Sequence, residues 1–121
     1  TAVGGLAMGA IPISTAIVIL CTRAQPPRRI RAFWVRREEK THGLGGVVSG
    51  TLEPADRVVI VDDVTTTGKS VLQAIDAVLA KGVKVLKVVS VVDRLEGARE
   101  TIEKRGIKFE SLYTRDEVLG E

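Results

Sequence analysis

The stretch VVIVDDVTTTGKS, residues 58–70, decides the fold. Residues 58–61 are β-branched and apolar without polar alternation, which is typical of a strand buried on both faces of a parallel sheet. In the following GKSVLQAIDAVLAKG, residues 68–82, apolar residues recur at helical spacing and Gly82 stands where a helix ends. A second buried strand follows over residues 85–92 (VLKVVSVV). Strand, helix and strand at this spacing predict a parallel βαβ unit.

The segments on either side continue this alternation. Downstream, the pattern predicts a helix over 96–105, a strand over 107–113 and a short helix after Thr114. Upstream, it predicts a loop over 4–10, a helix over 13–20, a strand over 30–36 and a polar, glycine-rich mobile excursion over 38–50. The sequence therefore predicts a single α/β domain over residues 1–121, with a mostly parallel twisted sheet flanked by helices.

Composition excludes several classes of protein. The chain has 121 residues, of which 45% are hydrophobic and 27% charged, which is enough for one real core and argues against disorder. Its one cysteine, Cys21, forbids an internal disulfide and a cysteine-based zinc site, and we expect it in the core. With aromatic residues at 3%, the chain lacks the stacking platforms of single-strand nucleic-acid binders.

Charge is distributed unevenly along the chain. The first 22 residues carry none, and a basic cluster follows, an order that a membrane anchor would also show. Glycine and proline interrupt the uncharged run, however, and leave only residues 11–20 strongly apolar, a length more typical of a core helix. The basic cluster could be a nucleic-acid patch, but the net charge of +3 is modest, and a solvated arginine face or a site for an anionic small molecule explains the cluster as well. We expect neither nucleic acid nor a membrane as a partner. Four arginines outside any motif are expected to be solvated: Arg23, Arg28, Arg29 and Arg31.

The polar residues after the strand at 58–61 form the candidate site, because ligands bind beyond the carboxyl ends of parallel strands. Gly68 allows close backbone approach, and Lys69 opens a helix whose free N–H groups suit phosphate. Asp62 and Asp63 suit a magnesium ion or ribose hydroxyls. The nucleoside-triphosphate pattern GxxxxGK[ST] fails, because Asp63 stands where it requires glycine. Helix capping would explain one such polar residue, but not six.

Four segments resemble known motifs. Residues 58–70 resemble the phosphoribosyl-pyrophosphate signature of the type I phosphoribosyltransferases. Residues 35–46 (VRREEKTHGLGG), 4–14 (GGLAMGAIPIS) and 91–98 (VVDRLEGA) resemble the mobile catalytic loop, the pyrophosphate loop with its helix, and the Asp-Arg segment of the orotate phosphoribosyltransferase family. The resemblance runs over essentially the whole chain in the family's order. It implies the type I phosphoribosyltransferase fold, with the family's hood region and first core strand absent.

The resemblance also implies an activity and its residues. The reaction transfers the phosphoribosyl group from phosphoribosyl pyrophosphate to orotate, giving orotidine 5′-phosphate and pyrophosphate with Mg²⁺. The implied setting is a cytoplasmic homodimer, in which loop 36–46 reaches the neighbouring subunit's site. The implied catalytic residues are Lys40, His42, Asp62 and Asp63, the two aspartates also holding the metal indirectly through substrate or water. The implied substrate-binding residues are Arg36, Arg37, Lys40, His42, Asp62, Asp63, Val64, Thr65, Thr66, Thr67, Gly68, Lys69, Ser70 and, at the orotate carboxylate, Arg94.

Two alternatives stay open at this point. A phosphoribosyltransferase for another base would share these motifs, since the resemblance implies that base specificity lies largely in the hood. A nucleotide-sensing module of the same fold, without catalysis, would have no need of the loop at 35–46. The sequence also departs from the family pattern: Arg37 replaces the usual lysine, and the uncharged Met8 to Ala10 stand where some members carry a lysine.

Overall fold

The computed structural model describes residues 1–37 and 47–120 and has the mixed α/β architecture that the sequence predicts. Within these described residues, six strands form one sheet in the order β3-β2-β1-β4-β5-β6, and the β2–β3 pair alone is antiparallel. The elements are β1 (Ala2–Leu6), α1 (Ala10–Arg23), β2 (Arg31–Arg36), β3 (Val47–Ser49), β4 (Arg57–Thr65), α2 (Lys69–Leu79), β5 (Lys84–Asp93), α3 (Ala98–Glu103), β6 (Lys108–Thr114) and α4 (Arg115–Val118).

Helices cover both faces of this sheet. On one face, α2 and α3 bury residues such as Ile75 and Ile102 against Ile60 and Phe109 of the strands. On the other face, α1 packs on a smaller cluster that contains Val3 and Val61. Strand β4 is buried from both sides at residues 58–61 and carries a continuous apolar run there. Strand β5 is mostly apolar, but its second face is only partly covered, and Leu86 is 40% exposed. The predicted β4–α2–β5 unit is confirmed.

The chain reverses its direction of travel across the sheet between β1 and β4. From β1 it passes through α1 to β2 on one side, whereas from β4 it passes through α2 to β5 on the other. The two loops that leave the carboxyl ends of β1 and β4 therefore diverge and leave a crevice between them. In open α/β sheets, such a switch point is where ligands bind.

The first strand corrects a prediction. Residues 4–6 were expected in a loop over 4–10, but Ala2–Leu6 is a buried strand, paired with β2 on one side and β4 on the other. A strand therefore leads into the loop. The expectation that the family's hood region and first core strand are absent stays a prediction. The segment has little β-propensity of its own, and a Cβ at Gly4 would overlap the Phe33 carbonyl oxygen. Close backbone packing explains why small residues form this strand.

Other boundaries also differ from the predictions. The excursion over 38–50 contains strand β3 at Val47–Ser49, and residues 38–46 lie outside the described part of the chain. Helix α3 begins at Ala98 instead of residue 96, because its N-cap Gly97 has a φ of 100°, and it ends at Glu103 instead of residue 105. Strand β4 continues through Asp62 and Asp63 to Thr65 instead of closing at the aspartates. Cys21, expected in the core, is only partly buried.

Asp56 fixes the start of β4. Its carboxylate is 4% exposed and accepts hydrogen bonds from the Glu53 N–H at 2.8 Å and the Thr1 hydroxyl at 2.7 Å. It also pairs with Arg31, so the expectation that Arg31 is merely solvated is wrong. The Glu53 N–H and these partners lower the pKa of Asp56 below its ordinary value, despite the opposing effect of burial.

Among the described residues, no helix is long and apolar enough to cross a membrane.

The position of the core can be tested at Ile60, which is fully buried in the middle of the sheet. We expect Ile60→Ala to lower the free energy of unfolding by about 2–5 kcal/mol, because it removes apolar contacts and leaves a cavity. Leu112→Ala on β6 is the control: its side chain is 63% exposed, and we expect a loss below about 1 kcal/mol. Chemical denaturation measures both, and equal losses would contradict the assigned core.

Candidate active site

The crevice between β1 and β4 contains two adjoining clefts. The first, of about 50 Å³, is lined by Asp62, Val64 and residues 65–71 at the start of α2. The second, of about 220 Å³, is lined by residues 6–9 after β1, together with Arg37, Asp62, Asp63, Val64 and Ser70. Asp62, Val64 and Ser70 line both clefts. A single elongated ligand can therefore occupy both.

The first cleft is a cradle of backbone N–H groups. Helix α2 begins at the N-cap Gly68, whose φ of 92° turns the chain sharply, and no side chain caps the helix. The alternative that the threonines and aspartates merely cap α2 is therefore wrong. The N–H groups of the first turn have no intrahelical partners, and they combine with the positive end of the helix dipole to favour an anion. Gly68 also packs against Ala98, where a Cβ would lie 3.3 Å from Ala98 Cα.

The second cleft joins the loop after β1 to the end of β2. Arg37 donates from Nη2 to Ser70 Oγ at 3.1 Å, which brings its guanidinium over the start of α2. Gly9 lies so close to Asp63 that a Cβ would overlap the Asp63 carboxylate. The backbone of residues 7–9 and the Arg37 side chain thus face the two aspartates across the cleft.

The two aspartates lie where the clefts meet. The Asp63 N–H donates to Asp62 Oδ1 at 3.0 Å, and the Val64 N–H donates to Asp63 Oδ1 at 2.8 Å. Burial, followed by the neighbouring Asp63 carboxyl, raises the pKa of Asp62 to about 6. No described basic side chain forms an ion pair with either aspartate. The site therefore holds negative charge that a cation or hydroxyl donors can compensate.

The predicted site residues divide into those that line the clefts, those that line neither cleft (Arg36 and Arg94), and those outside the described residues (Lys40 and His42). The crevice brings together Arg37, Asp62, Asp63, Val64, Thr65, Thr66, Thr67, Gly68, Lys69 and Ser70. Arg36 is exposed at the end of β2 and lines neither cleft, and Lys40 and His42 lie outside the described residues. Arg94 donates its backbone N–H to the Thr65 carbonyl at 2.9 Å, while its guanidinium pairs with Glu96 at 3.2 Å.

Residues 6–9 line the second cleft and belong to the motif at residues 4–14, but the sequence did not predict them as site residues. They carry no charge or reactive side chain, so only their backbone marks the site. Their position after a strand at the switch point was the available signal.

The two aspartates suit Mg²⁺ only in part. Among residues 1–37 and 47–120, no group of three or more His, Cys, Asp or Glu side chains could hold a metal ion. Mg²⁺ commonly binds through one or two carboxylates, with water and substrate phosphates completing its coordination. The donor set of Asp62 and Asp63 fits that kind of site, in which the substrate supplies part of the coordination.

The raised pKa of Asp62 predicts a stability effect. Because the folded-state pKa exceeds the unfolded value, ionising Asp62 destabilises the fold, and this penalty is present at neutral pH and absent where both states are protonated. We expect Asp62→Asn to raise the free energy of unfolding by about 1–2 kcal/mol at about pH 7, after allowance for solvent screening, and by almost nothing at about pH 3. Denaturant unfolding at both pH values measures this.

The Asp116→Asn variant, at a side chain that is 47% exposed, controls for the general loss of a negative charge, and we expect no comparable gain from it. A loss of stability in Asp62→Asn at neutral pH would contradict the assigned environment of Asp62.

Comparison with known proteins agrees with this geometry. The phosphoribosyl transferase domain family matches residues 2–114. The chain is 45% identical to the orotate phosphoribosyltransferase of Aquifex aeolicus, over 98% of this chain and 63% of that protein.

Two solved structures are similar across nearly the whole chain. The orotate phosphoribosyltransferase of Aeropyrum pernix matches with a TM-score of 0.81 and 32% identity, over 98% of this chain and 63% of that one. The Mycobacterium tuberculosis enzyme in complex with 5-phospho-alpha-D-ribosyl 1-diphosphate matches with a TM-score of 0.76 and 40% identity, over 93% and 61%. The chain thus spans less than two thirds of the length of each of these relatives. Its fold, its motifs and the family match lead to one conclusion: the chain belongs to the phosphoribosyl transferase domain family.

Proposed function

We propose that this chain carries the phosphoribosyl-pyrophosphate site of an orotate phosphoribosyltransferase. The observation that carries the proposal is the pair of adjoining clefts that meet at Asp62. The cradle at residues 66–70 suits a 5′-phosphate, and the loop at 6–9 with Arg37 suits a pyrophosphate. The aspartates between them suit the ribose hydroxyls. The similarity to orotate phosphoribosyltransferases, one of them solved with this substrate, supports the same assignment.

The proposed reaction replaces pyrophosphate on the ribose by orotate. The bond from the ribose carbon to pyrophosphate breaks, the bond to the orotate nitrogen forms, and the ribose ring carries positive charge in between. Such a step needs cations on the leaving group and carboxylates near the ribose more than it needs a strong nucleophile. Arg37 is placed for the first task and the aspartates for the second. Arg36, Lys40 and His42 are proposed to add charge to the pyrophosphate from the adjoining loop.

Mg²⁺ is the proposed cofactor, with Asp62 and Asp63 as its carboxylate partners through substrate or water. When bound, it would neutralise the pyrophosphate and so improve the leaving group. Ionised Asp62 is the form that attracts the metal, so the raised pKa of this group predicts weaker metal-dependent binding as the pH falls below about 6.

Arg94 is the proposed contact for the orotate carboxylate. The side chains of Arg94 and Glu96 are both exposed, and exposed ion pairs contribute little stability. Replacing Glu96 by the orotate carboxylate as the partner of Arg94 therefore costs little free energy. The hydrogen bond from the Arg94 N–H to the Thr65 carbonyl holds the start of the loop after β5 beside the proposed phosphate cradle.

A cytoplasmic homodimer that shares loop 36–46 across subunits remains part of the proposal. Arg37 contacts Ser70 of its own chain. In the proposed dimer, the part of the loop that reaches the other subunit would therefore begin after Arg37.

The direct test is an activity assay with Mg²⁺, phosphoribosyl pyrophosphate and a panel of bases. We expect pyrophosphate release with orotate and not with adenine, hypoxanthine or uracil. Release with a different base would favour a phosphoribosyltransferase of other specificity. Binding of phosphoribosyl pyrophosphate without turnover for any base would favour a nucleotide-sensing module.

Gly9 offers a second test, because a Cβ there would overlap the Asp63 carboxylate. We expect Gly9→Ala to lower kcat/KM for phosphoribosyl pyrophosphate by about 100-fold, since small displacements of positioned groups have large kinetic effects. Steady-state kinetics measure this, with the exposed Thr15→Ala variant of α1 as the control. Full activity in Gly9→Ala would show that Asp63 does not need its observed position.

A further inference from the structure

Ser90 lies beneath the candidate site, and no motif draws attention to it. It is the one hydroxyl in the apolar run of β5 at residues 85–92, it is fully buried, and it lies in register with Asp62 on the neighbouring strand. It lines neither cleft, so a ligand in the crevice does not reach it.

A short chain of hydrogen bonds links Ser90 to Asp62. Ser90 donates to the Val92 carbonyl oxygen at 2.9 Å. The Thr65 hydroxyl, which is 2% exposed, donates to Ser90 Oγ at 2.8 Å and lies 3.3 Å from Asp62 Oδ2. The path therefore runs from a backbone carbonyl through two buried hydroxyls to the carboxylate where the two clefts meet.

The chemistry of these groups fixes the direction of the bonds. A hydroxyl has one hydrogen to donate, and a carbonyl oxygen can only accept. Because the hydrogen of Ser90 goes to Val92, the oxygen of Ser90 is free to accept the hydrogen of Thr65. The shorter distance indicates that Thr65 gives its hydrogen mainly to Ser90 and only weakly to Asp62.

We propose that Ser90 is a positioning residue for Asp62, acting through Thr65. By holding the hydrogen of Thr65, Ser90 prevents a full charge-assisted bond that would draw the Asp62 carboxylate inward, away from the crevice. Without the Ser90 hydroxyl, that hydrogen has only Asp62 as its acceptor. The carboxylate then shifts away from the ribose position. This inference rests on the proposed function for the identity of its ligand, phosphoribosyl pyrophosphate.

The test is a double-mutant cycle with Ser90→Ala and the isosteric Thr65→Val, in which the affinity for phosphoribosyl pyrophosphate with Mg²⁺ is measured by calorimetry. We expect Ser90→Ala to raise the Kd by about three- to tenfold, the range of a single hydrogen bond. In the Thr65→Val background, Ser90→Ala should alter the Kd by less than about twofold, because the Thr65 hydroxyl that links Ser90 to Asp62 is already absent. Circular dichroism and denaturant unfolding verify that each variant is folded.

Two controls separate positioning from a general structural role. Affinity for inorganic phosphate, which needs only the cradle at residues 66–70, should not change in Ser90→Ala. Ser111→Ala removes a serine hydroxyl from the position paired with Ser90 on β6 and should leave the Kd for phosphoribosyl pyrophosphate unchanged.

An unchanged Kd in Ser90→Ala, an equal loss in both backgrounds, or a parallel loss of phosphate binding would each overturn the proposal. The binding assay contains no base. A protein that binds phosphoribosyl pyrophosphate but does not use orotate would therefore refute the proposed activity and leave this test intact.

Discussion

The parallel pairing of β1 with β4 at the centre of the sheet is the constraint on which the site depends. A strand squeezed between β2 and β4 requires glycine at two positions, since a Cβ at Gly4 would overlap the Phe33 carbonyl oxygen of β2 and a Cβ at Gly5 would overlap the Val61 carbonyl oxygen of β4. Because the chain leaves β1 and β4 in opposite directions, the two loops open a crevice at their carboxyl ends. The residues that line the two clefts lie on one of those two loops or beside them.

The same crevice concentrates features that weaken the fold. Helix α2 begins without a side-chain cap, and Asp62 is partly buried beside a second carboxyl group that raises its pKa. Each feature costs stability in the free protein, and the proposed ligand would compensate each through a phosphate, a cation or the ribose hydroxyls. The contrast with Asp56 is informative, because that carboxylate is more deeply buried but has an N–H, a hydroxyl and an arginine as partners. Asp56 therefore stabilises the fold, whereas the raised pKa of Asp62 agrees with its proposed role in ligand binding.

The sequence predicted the elements whose hydrophobic periodicity matches their burial in the fold. It did not predict the elements whose secondary structure is determined by packing against neighbouring strands. Strand β4 and helix α2 carry strong local patterns, so the βαβ unit and the phosphate cradle could be predicted from residues 58–82. Strand β1 could not, because AVGGL has low β-propensity and is a strand only through its two neighbours. The role inferred for Ser90 was also invisible, since one serine in an apolar strand gives no hint of which hydroxyl lies across from it. The roles of all the predicted site residues, Lys40 and His42 among them, stay predictions.

The central claim is that one ligand bridges both clefts, with its ribose at the aspartates. Amide chemical-shift mapping by NMR tests this most directly, with phosphoribosyl pyrophosphate, ribose 5-phosphate and pyrophosphate each added in the presence of Mg²⁺. The account predicts that ribose 5-phosphate shifts the amides of residues 66–71, that pyrophosphate shifts those of residues 7–9, and that phosphoribosyl pyrophosphate shifts both sets together. Shifts confined to one set with phosphoribosyl pyrophosphate, or shifts elsewhere on the sheet, would contradict it.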